Sequence, residues 1–233
     1  MKAGLPSVKT REEWLASNCR AGGKIGVDAR LLPLSVAGQL KKGLKAGGQE
    51  LVAEVENLVD LVWTDRPAEP ANKVIVLPDS YTGVTVQAKL AQLREDLAAH
   101  NAIGLLVTAL DDVAWLFNLR GNDIDYNPVF FSYAFVGLNS VQLYLNESKY
   151  DDKIKSHLGD SVQLRPYSAV FDDMKALAAL NVTTVNEQDS GKSAASPKVL
   201  VSRSCSIALC QALRGLQIED VISPVTFRKC RPS

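Results

Sequence analysis

His100 and His157 are the only two histidines in 233 residues. A catalytic metal or acid–base centre usually gathers several imidazole or carboxylate groups. His100 lies between Ala99 and Asn101 at an expected helix end, where an imidazole meets the negative end of the helix dipole. His157 falls in a charged helical stretch, so both are read as structural or solvated. Three acidic pairs, Asp111-Asp112, Asp151-Asp152 and Asp172-Asp173, fall at or near expected helix starts and are read as helix-capping groups rather than metal ligands. Ser202, Ser204 and Ser206 surround Cys205 without a G-x-S-x-G elbow or a nearby histidine, which argues against a serine hydrolase. Gly22-Gly23 and Gly47-Gly48 lack the spacing of either nucleotide-binding glycine motif. Cys19, Cys205, Cys210 and Cys230 show no C-x-x-C spacing, and reduced thiols are expected. On these grounds no catalytic, metal-binding or cofactor-binding residue is assigned within this chain.

Elements that could position such groups are well marked. From Lys24 the pattern reads strand (24–27), helix, strand (51–55), with Ser35 as the helix cap, Val36, Leu40 and Leu44 along one side, and Gly47-Gly48 as its end. A lone piece of this kind leaves sheet edges open to pairing. Asp65-Arg-Pro-Ala-Glu-Pro-Ala71 reads as an extended connector. Beyond it come a short strand or extended entry (73–77), a turn at Tyr81-Thr-Gly83, a helix with Val86, Leu90, Leu93 and Leu97 on one face, and a strand (104–109).

Thr108 and Asp111 read as a capping box for a helix faced by Leu110, Val113, Ala114 and Phe117. Gly121 closes the following turn, and 129–136 reads as a strand covered on both faces. Gly137-Leu-Asn-Ser140 makes a hairpin into a strand from 141, in which Val141, Leu143 and Leu145 alternate with a wet face of Gln142, Tyr144 and Asn146. A charged helix (151–157), a strand (162–166), a helix capped by Ser168, a loop (186–197), a strand (198–202) and a helix (205–214) complete the pattern. The expected fold class is α/β, a mixed sheet flanked by helices.

Lys plus Arg equals Asp plus Glu at 26 each, so no net field attracts nucleic acid or an acidic membrane. The longest apolar runs fall short of the roughly 20 residues a membrane span requires, and the start lacks a signal-peptide core. The cytoplasm is the expected compartment, with no nucleic acid and no membrane among the partners. Trp14, Trp63 and Trp115 are read as core or interdomain packing.

The phrase Leu110-Asp-Asp-Val-Ala-Trp-Leu-Phe-Asn-Leu-Arg-Gly121, followed by Asp123 and Tyr126-Asn-Pro-Val-Phe130, resembles the middle domain of the three-domain Xaa-Pro aminopeptidases, in the pita-bread peptidase family. Supporting it are Asn57-Leu-Val-Asp-Leu-Val-Trp63 with Asp65-Arg-Pro67, Tyr81-Thr-Gly83 leading to Lys89-Leu90 and Leu93-Arg94, and Ser223-Pro-Val225. The likeness runs from about Ile25 to Val225. It implies a creatinase N-terminal-like fold over 64–226, preceded in 1–63 by the closing part of a first copy of that fold, with 227–233 as the start of a linker or tail.

In that family the chemistry belongs to a C-terminal pita-bread domain, where two aspartates, a histidine and two glutamates hold two metal ions, usually manganese. The resemblance therefore implies a noncatalytic portion of a metal-dependent Xaa-Pro aminopeptidase, inactive by itself. Its implied partners are the catalytic domain of the parent and, through it, the peptide substrate. It would shape substrate access and subunit contacts. Arg120 and Asp123, flanking Gly121, are expected to pair with each other or to present charge at an interdomain surface or site rim. The other reading is a standalone, pseudoenzyme-like binding or assembly module that associates through its open sheet edge.

Overall fold

The computed structural model describes residues 5, 7–54, 56–187 and 197–230. By packing, the chain divides into two compact units, one comprising residues up to Pro67 together with Ser204–Gln211, the other Ala68–Arg203 together with Ala212 onward.

The first unit opens with a helix the sequence reading did not anticipate, α1 (Arg11–Asn18). Thr10 and Glu13 close a capping box at its start, each side chain satisfying the other's backbone N–H, at 3.2 and 2.8 Å. Strand β1 (Lys24–Asp28), helix α2 (Leu34–Ala46) and strand β2 (Glu50–Glu54) follow, the strands pairing in parallel from Lys24↔Glu50 to Asp28↔Glu54. Ala37, Leu40 and Leu44 are the buried residues of α2, and Gly47 ends it as expected.

Ser35 is not the cap. Pro33 holds the extended position before the helix with no side-chain cap, and the N–H of Leu34 is taken by Cys205 O at 2.8 Å. A buried Gln49 ties α1 down by donating to Ala16 O and Cys19 O. Helix α3 (Leu58–Val62) starts at Asn57, whose side chain accepts from Val59 N and donates to Asp28 Oδ2.

The second unit begins with β3 (Ile75–Val76) and the single turn α4 (Asp79–Thr82). Then come α5 (Val86–Ala99), β4 (Ala102–Val107), α6 (Leu110–Leu116), β5 (Leu119–Arg120), β6 (Ser132–Gly137), β7 (Val141–Leu145), α7 (Asp152–Leu158) and β8 (Gln163–Arg165). Helix α8 (Val170–Glu187) and β9 (Lys198–Ser202) follow; α9 (Ile207–Ala212) comes next in the chain but belongs up to Gln211 to the first unit, and β10 (Gln217–Val221) and α10 (Pro224–Lys229) close the second.

Among the described residues the main sheet has six strands in the order β10-β9-β4-β6-β7-β8. Its pairs β10/β9, β9/β4 and β7/β8 are parallel, whereas β4/β6 and β6/β7 are antiparallel. This is the mixed sheet flanked by helices that the alternation of elements implied. The core gathers Leu90, Leu93 and Leu97 of α5 with Leu105, Phe117, Phe130, Val136 and Leu143. At Gly104 the lack of a side chain admits the Phe135 ring from the neighbouring strand, since a Cβ there would sit 2.3 Å from its Cζ.

Several expectations change. Strand β7 has no broad wet face: Tyr144 is fully buried and stands opposite Tyr133 on β6, leaving Gln142 as the half-buried position. Strand β6 begins at Ser132 rather than 129, because Val129 and Phe131 bond into the preceding loop. Ser168 lies inside a short 3-10 turn ahead of α8 and caps nothing. Strand β10 escaped notice because Gln217-Ile-Glu-Asp-Val221 carries too few apolar residues. Parallel pairing with β9 holds it in place. Of the expected loop 186–197, Asn186 and Glu187 are helical and residues 188–196 lie outside the described ones.

Candidate functional site

The segment from α6 to β6 carries the distinctive sequence phrase and two dense polar clusters. Helix α6 starts after Ala109 without a side-chain cap, so Thr108 and Asp111 form no capping box. The two acids at its start are drawn instead to α10. Asp112 is buried; its Oδ2 accepts from Thr226 Oγ1 at 2.6 Å and its Oδ1 from Lys229 Nζ at 2.8 Å. Asp111 accepts from the same ammonium at 2.5 Å. That hydrogen bond holds the Asp111 carboxyl below the usual carboxylate range despite partial burial. A second anchor is bidentate: Arg228 reaches both oxygens of Asp96 on α5, at 2.6 and 2.8 Å. Next to it a cavity of about 410 Å³ opens between His100, Ile222, Pro224 and Phe227.

At the other end of α6 the last carbonyls would be orphans of the helix ladder. Lys89, Arg120 and His157 approach them. Lys89 Nζ donates to Trp115 O at 2.7 Å and to Asn118 Oδ1 at 2.5 Å, and sits 4.0 Å above the Trp115 ring. Arg120 Nη1 donates to Ala114 O and to its neighbour Leu119 O. His157 Nε2 lies 3.0 Å from Phe117 O. Positive groups here also complement the helix dipole.

Asn118 holds a left-handed backbone conformation (φ 51°). It is fully buried and donates onward to Asp79 Oδ1 and Val84 O, linking α4 to the network. Burial and the nearby Arg120 charge pull the Lys89 pKa down to about 8, with Asp79 opposing them. Burial likewise lowers that of Arg120.

The loop after β5 is closed by Gly121 and Asp123. A Cβ on Gly121 would meet Phe130 Cβ at 2.7 Å and Val129 O at 3.0 Å, so only glycine lets the two arms of the loop converge. Asp123 Oδ2 accepts from Phe131 N at 2.7 Å and from Lys149 Nζ. Both charged side chains of this pair are essentially excluded from solvent, at 0% and 3% exposure. The second carboxylate oxygen, Oδ1, is buried without a hydrogen-bond partner.

Arg120 and Asp123 thus share a loop without pairing. Each has found a closer partner, backbone carbonyls for the one and a buried ammonium for the other. The expected Arg120–Asp123 bridge is replaced by Lys149–Asp123. Of the acidic pairs, Asp151 caps α7 by accepting from Lys153 N and Ile154 N. Asp173 is held instead by both arms of Arg165, and Asp172 by Lys175. His100 Nδ1 lies 2.9 Å from Asp96 O on its own helix. Trp115 packs against the core, but Trp14 and Trp63 are each more than two-fifths exposed.

Lys89 entered the sequence analysis only as part of a family phrase, without a role, and Lys149 did not enter it. A signal existed for the first: Lys89 interrupts the apolar face between Val86 and Leu90, where a charge invites the question of its partner. Lys149, in a polar stretch, gave none.

A dinuclear metal centre needs several converging anionic or imidazole ligands. Among the described residues no group of three or more His, Cys, Asp or Glu side chains is arranged to hold a metal ion, so this donor set does not fit such a group. No helix among them is long and apolar enough to cross a membrane.

A mixed sheet with helices on its flanks and a glycine-closed, charge-stapled loop defines a class of domain rather than a chemistry. The profile of the creatinase/prolidase N-terminal domain matches residues 65–231, and the chain belongs to that family. It is 42% identical over 231 residues to a probable Xaa-Pro aminopeptidase P of Paracoccidioides brasiliensis, covering 98% of this chain and 37% of the relative. A probable Xaa-Pro aminopeptidase P of Tuber melanosporum is 43% identical over 232 residues, with 98% and 38% covered. The chain therefore spans well under half the length of these curated relatives. Among solved structures, the X-prolyl aminopeptidase of Caenorhabditis elegans, described as a cytosolic enzyme with a di-nuclear active site, superposes with a TM-score of 0.87. It is 31% identical, with 98% of this chain and 36% of that one covered.

Proposed function

We propose that this chain is the noncatalytic N-terminal portion of a metal-dependent Xaa-Pro aminopeptidase, in which it shapes access to the metal centre and contributes subunit contacts. The observation that carries the reading is identity spread over 98% of the chain to relatives of which it makes up only 37%. The catalytic partner, two divalent ions such as manganese, and peptides with proline in second position belong to the parent on this reading. Residues 1–63 then represent part of a first copy of the fold. Arg120 acts there mainly as a clamp on α6, and Asp123 with Lys149 fixes the loop.

A chimera tests this: the matching third of a full-length relative is replaced by this chain, and short and long Xaa-Pro peptides are compared. Cleavage should persist, with the ratio of kcat/KM between long and short peptides altered. A chimera that folds and keeps its metal, yet has an unchanged ratio and unchanged subunit mass, would count against the reading.

A second reading, a standalone binding or assembly module, draws on one feature. Helix α3 presents Leu58, Val59, Leu61 and Val62 with more than half of each side chain in water, and apolar surface of that density marks contact sites. Sedimentation over a range of concentrations tests it, and a strict monomer would weigh against it.

A further inference from the structure

The segment Ser204–Gln211 belongs to the first unit, and its geometry is that of a capped helix start. Leu209 N donates to Ser206 Oγ at 3.4 Å and Cys210 N donates to Ser206 O at 3.1 Å, which makes Ser206 the cap of α9. Cys205 is then the residue before the cap and Cys210 the fourth within the helix. Those two positions pack against one another across a helix start and are ordinarily filled by large apolar side chains. Here both carry sulfur.

The Cys205 backbone is fixed by Leu34 N, which donates to its carbonyl at 2.8 Å. Its thiol is fully buried, with Sγ 3.7 Å from Ser206 O, whereas Cys210 is half-buried. At these two positions each thiol acts on the other. The shared hydrogen bond, with burial adding to it, pushes Cys205 up, and the same bond pulls Cys210 down.

We propose that Cys205 and Cys210 are a redox-modifiable dithiol that closes to an intrachain disulfide by exchange with a small disulfide such as oxidised glutathione. The half-buried Cys210 thiolate attacks one sulfur of the oxidant and breaks its S–S bond. That step forms a mixed disulfide and releases one glutathione thiolate, which takes up the Cys205 proton. Cys205 then attacks Cys210 Sγ, forming the intrachain bond and releasing the second glutathione. Two protein thiols lose two electrons, and one oxidised glutathione gains them as two thiols. Closure draws the sulfurs to about 2.05 Å and fixes covalently the segment whose Ile207 and Ala208 N–H groups donate to Leu32 O and Ala29 O of the same unit.

The test uses the full chain incubated with oxidised glutathione, acid-quenched, alkylated and digested with trypsin. The peptide Ser204–Arg214 contains both cysteines and neither of the others. It should lose two hydrogens and resist alkylation, about tenfold faster in the native chain than in urea, reflecting the preset geometry. Cys205→Ser should trap Cys210 as the glutathione adduct. Cys210→Ser, at the less buried position, should leave Cys205 unmodified in the native chain, and serves if the first variant does not fold. Closure no faster than in urea, a mixed disulfide at Cys210 that persists in the unaltered chain, or a fully alkylated peptide beside a glutathionylated Cys230 would each overturn the proposal.

Discussion

The two units of this chain are built from the same grammar of strand and helix but solve the burial problem to different depths. In the second, six strands carry helices, and residues such as Leu105, Val136, Leu143 and Tyr144 have no contact with water. In the first, two parallel strands carry one long helix, α3 lies with its apolar side chains exposed, and one of the packing segments, Ser204–Gln211, comes from far along the sequence. The polar contacts differ in the same way. The second unit buries one complete ion pair, Asp123–Lys149, while Arg66–Asp60 in the first is half exposed at each end. Depth of burial, more than the number of charges, decides how much a given contact matters.

Breaking the deepest pair should have the largest effect. Asp123→Ala leaves the Lys149 ammonium buried without its counter-ion, and removing one partner of such a pair costs about 3–5 kcal/mol. Arg66→Ala, the matching change at a solvated pair, should cost about 1 kcal/mol or less. Urea unfolding followed by circular dichroism compares them, and equal midpoints would erase the contrast.

Next in size is the core. Leu143→Ala should destabilise the second unit by about 2–5 kcal/mol. Leu44→Ala should instead accelerate amide exchange in α2, β1 and β2 while leaving that in β4, β6 and β7 nearly unchanged. Exchange that rises uniformly in both units would show them to be one cooperative body.

The smallest effect is a slope. The Lys89 pKa is about 8 when folded against an ordinary value of 10.5, so between those values the unfolded chain binds more protons and stability rises with pH. Below pH 8 both states are protonated and the cost of burying the charge is present in full. Comparing the Lys89→Met variant with the unaltered chain from pH 7.5 to 10 should show this part of the slope missing in the variant, and identical slopes would refute the assignment.

What the sequence disclosed follows the same line of depth. Apolar periodicity marked α5 and the strands 141–145 and 198–202, because burial acts on each residue in turn and leaves its rhythm in the chain. The loop between α6 and β6 was visible through Gly121 and its neighbours. Its wiring was not, since the partners of Asp123 and Asp112 lie 26 and 114 positions away at Lys149 and Thr226. Asp151 caps α7 as expected, but other caps failed for a related reason. Asp111 and Ser35 have capping chemistry, but Lys229 and the Pro33 backbone determine what happens at those helix starts. Tyr144 misled because its hydroxyl made an alternating strand look wet on one side, although the ring is wholly enclosed.

Peptidase assay of the purified chain with manganese and an Xaa-Pro peptide tests most directly whether these residues provide scaffold alone. The account predicts no release of the first residue above the buffer rate, with or without metal. Hydrolysis that follows the protein through every purification step and disappears with a chelator would contradict it.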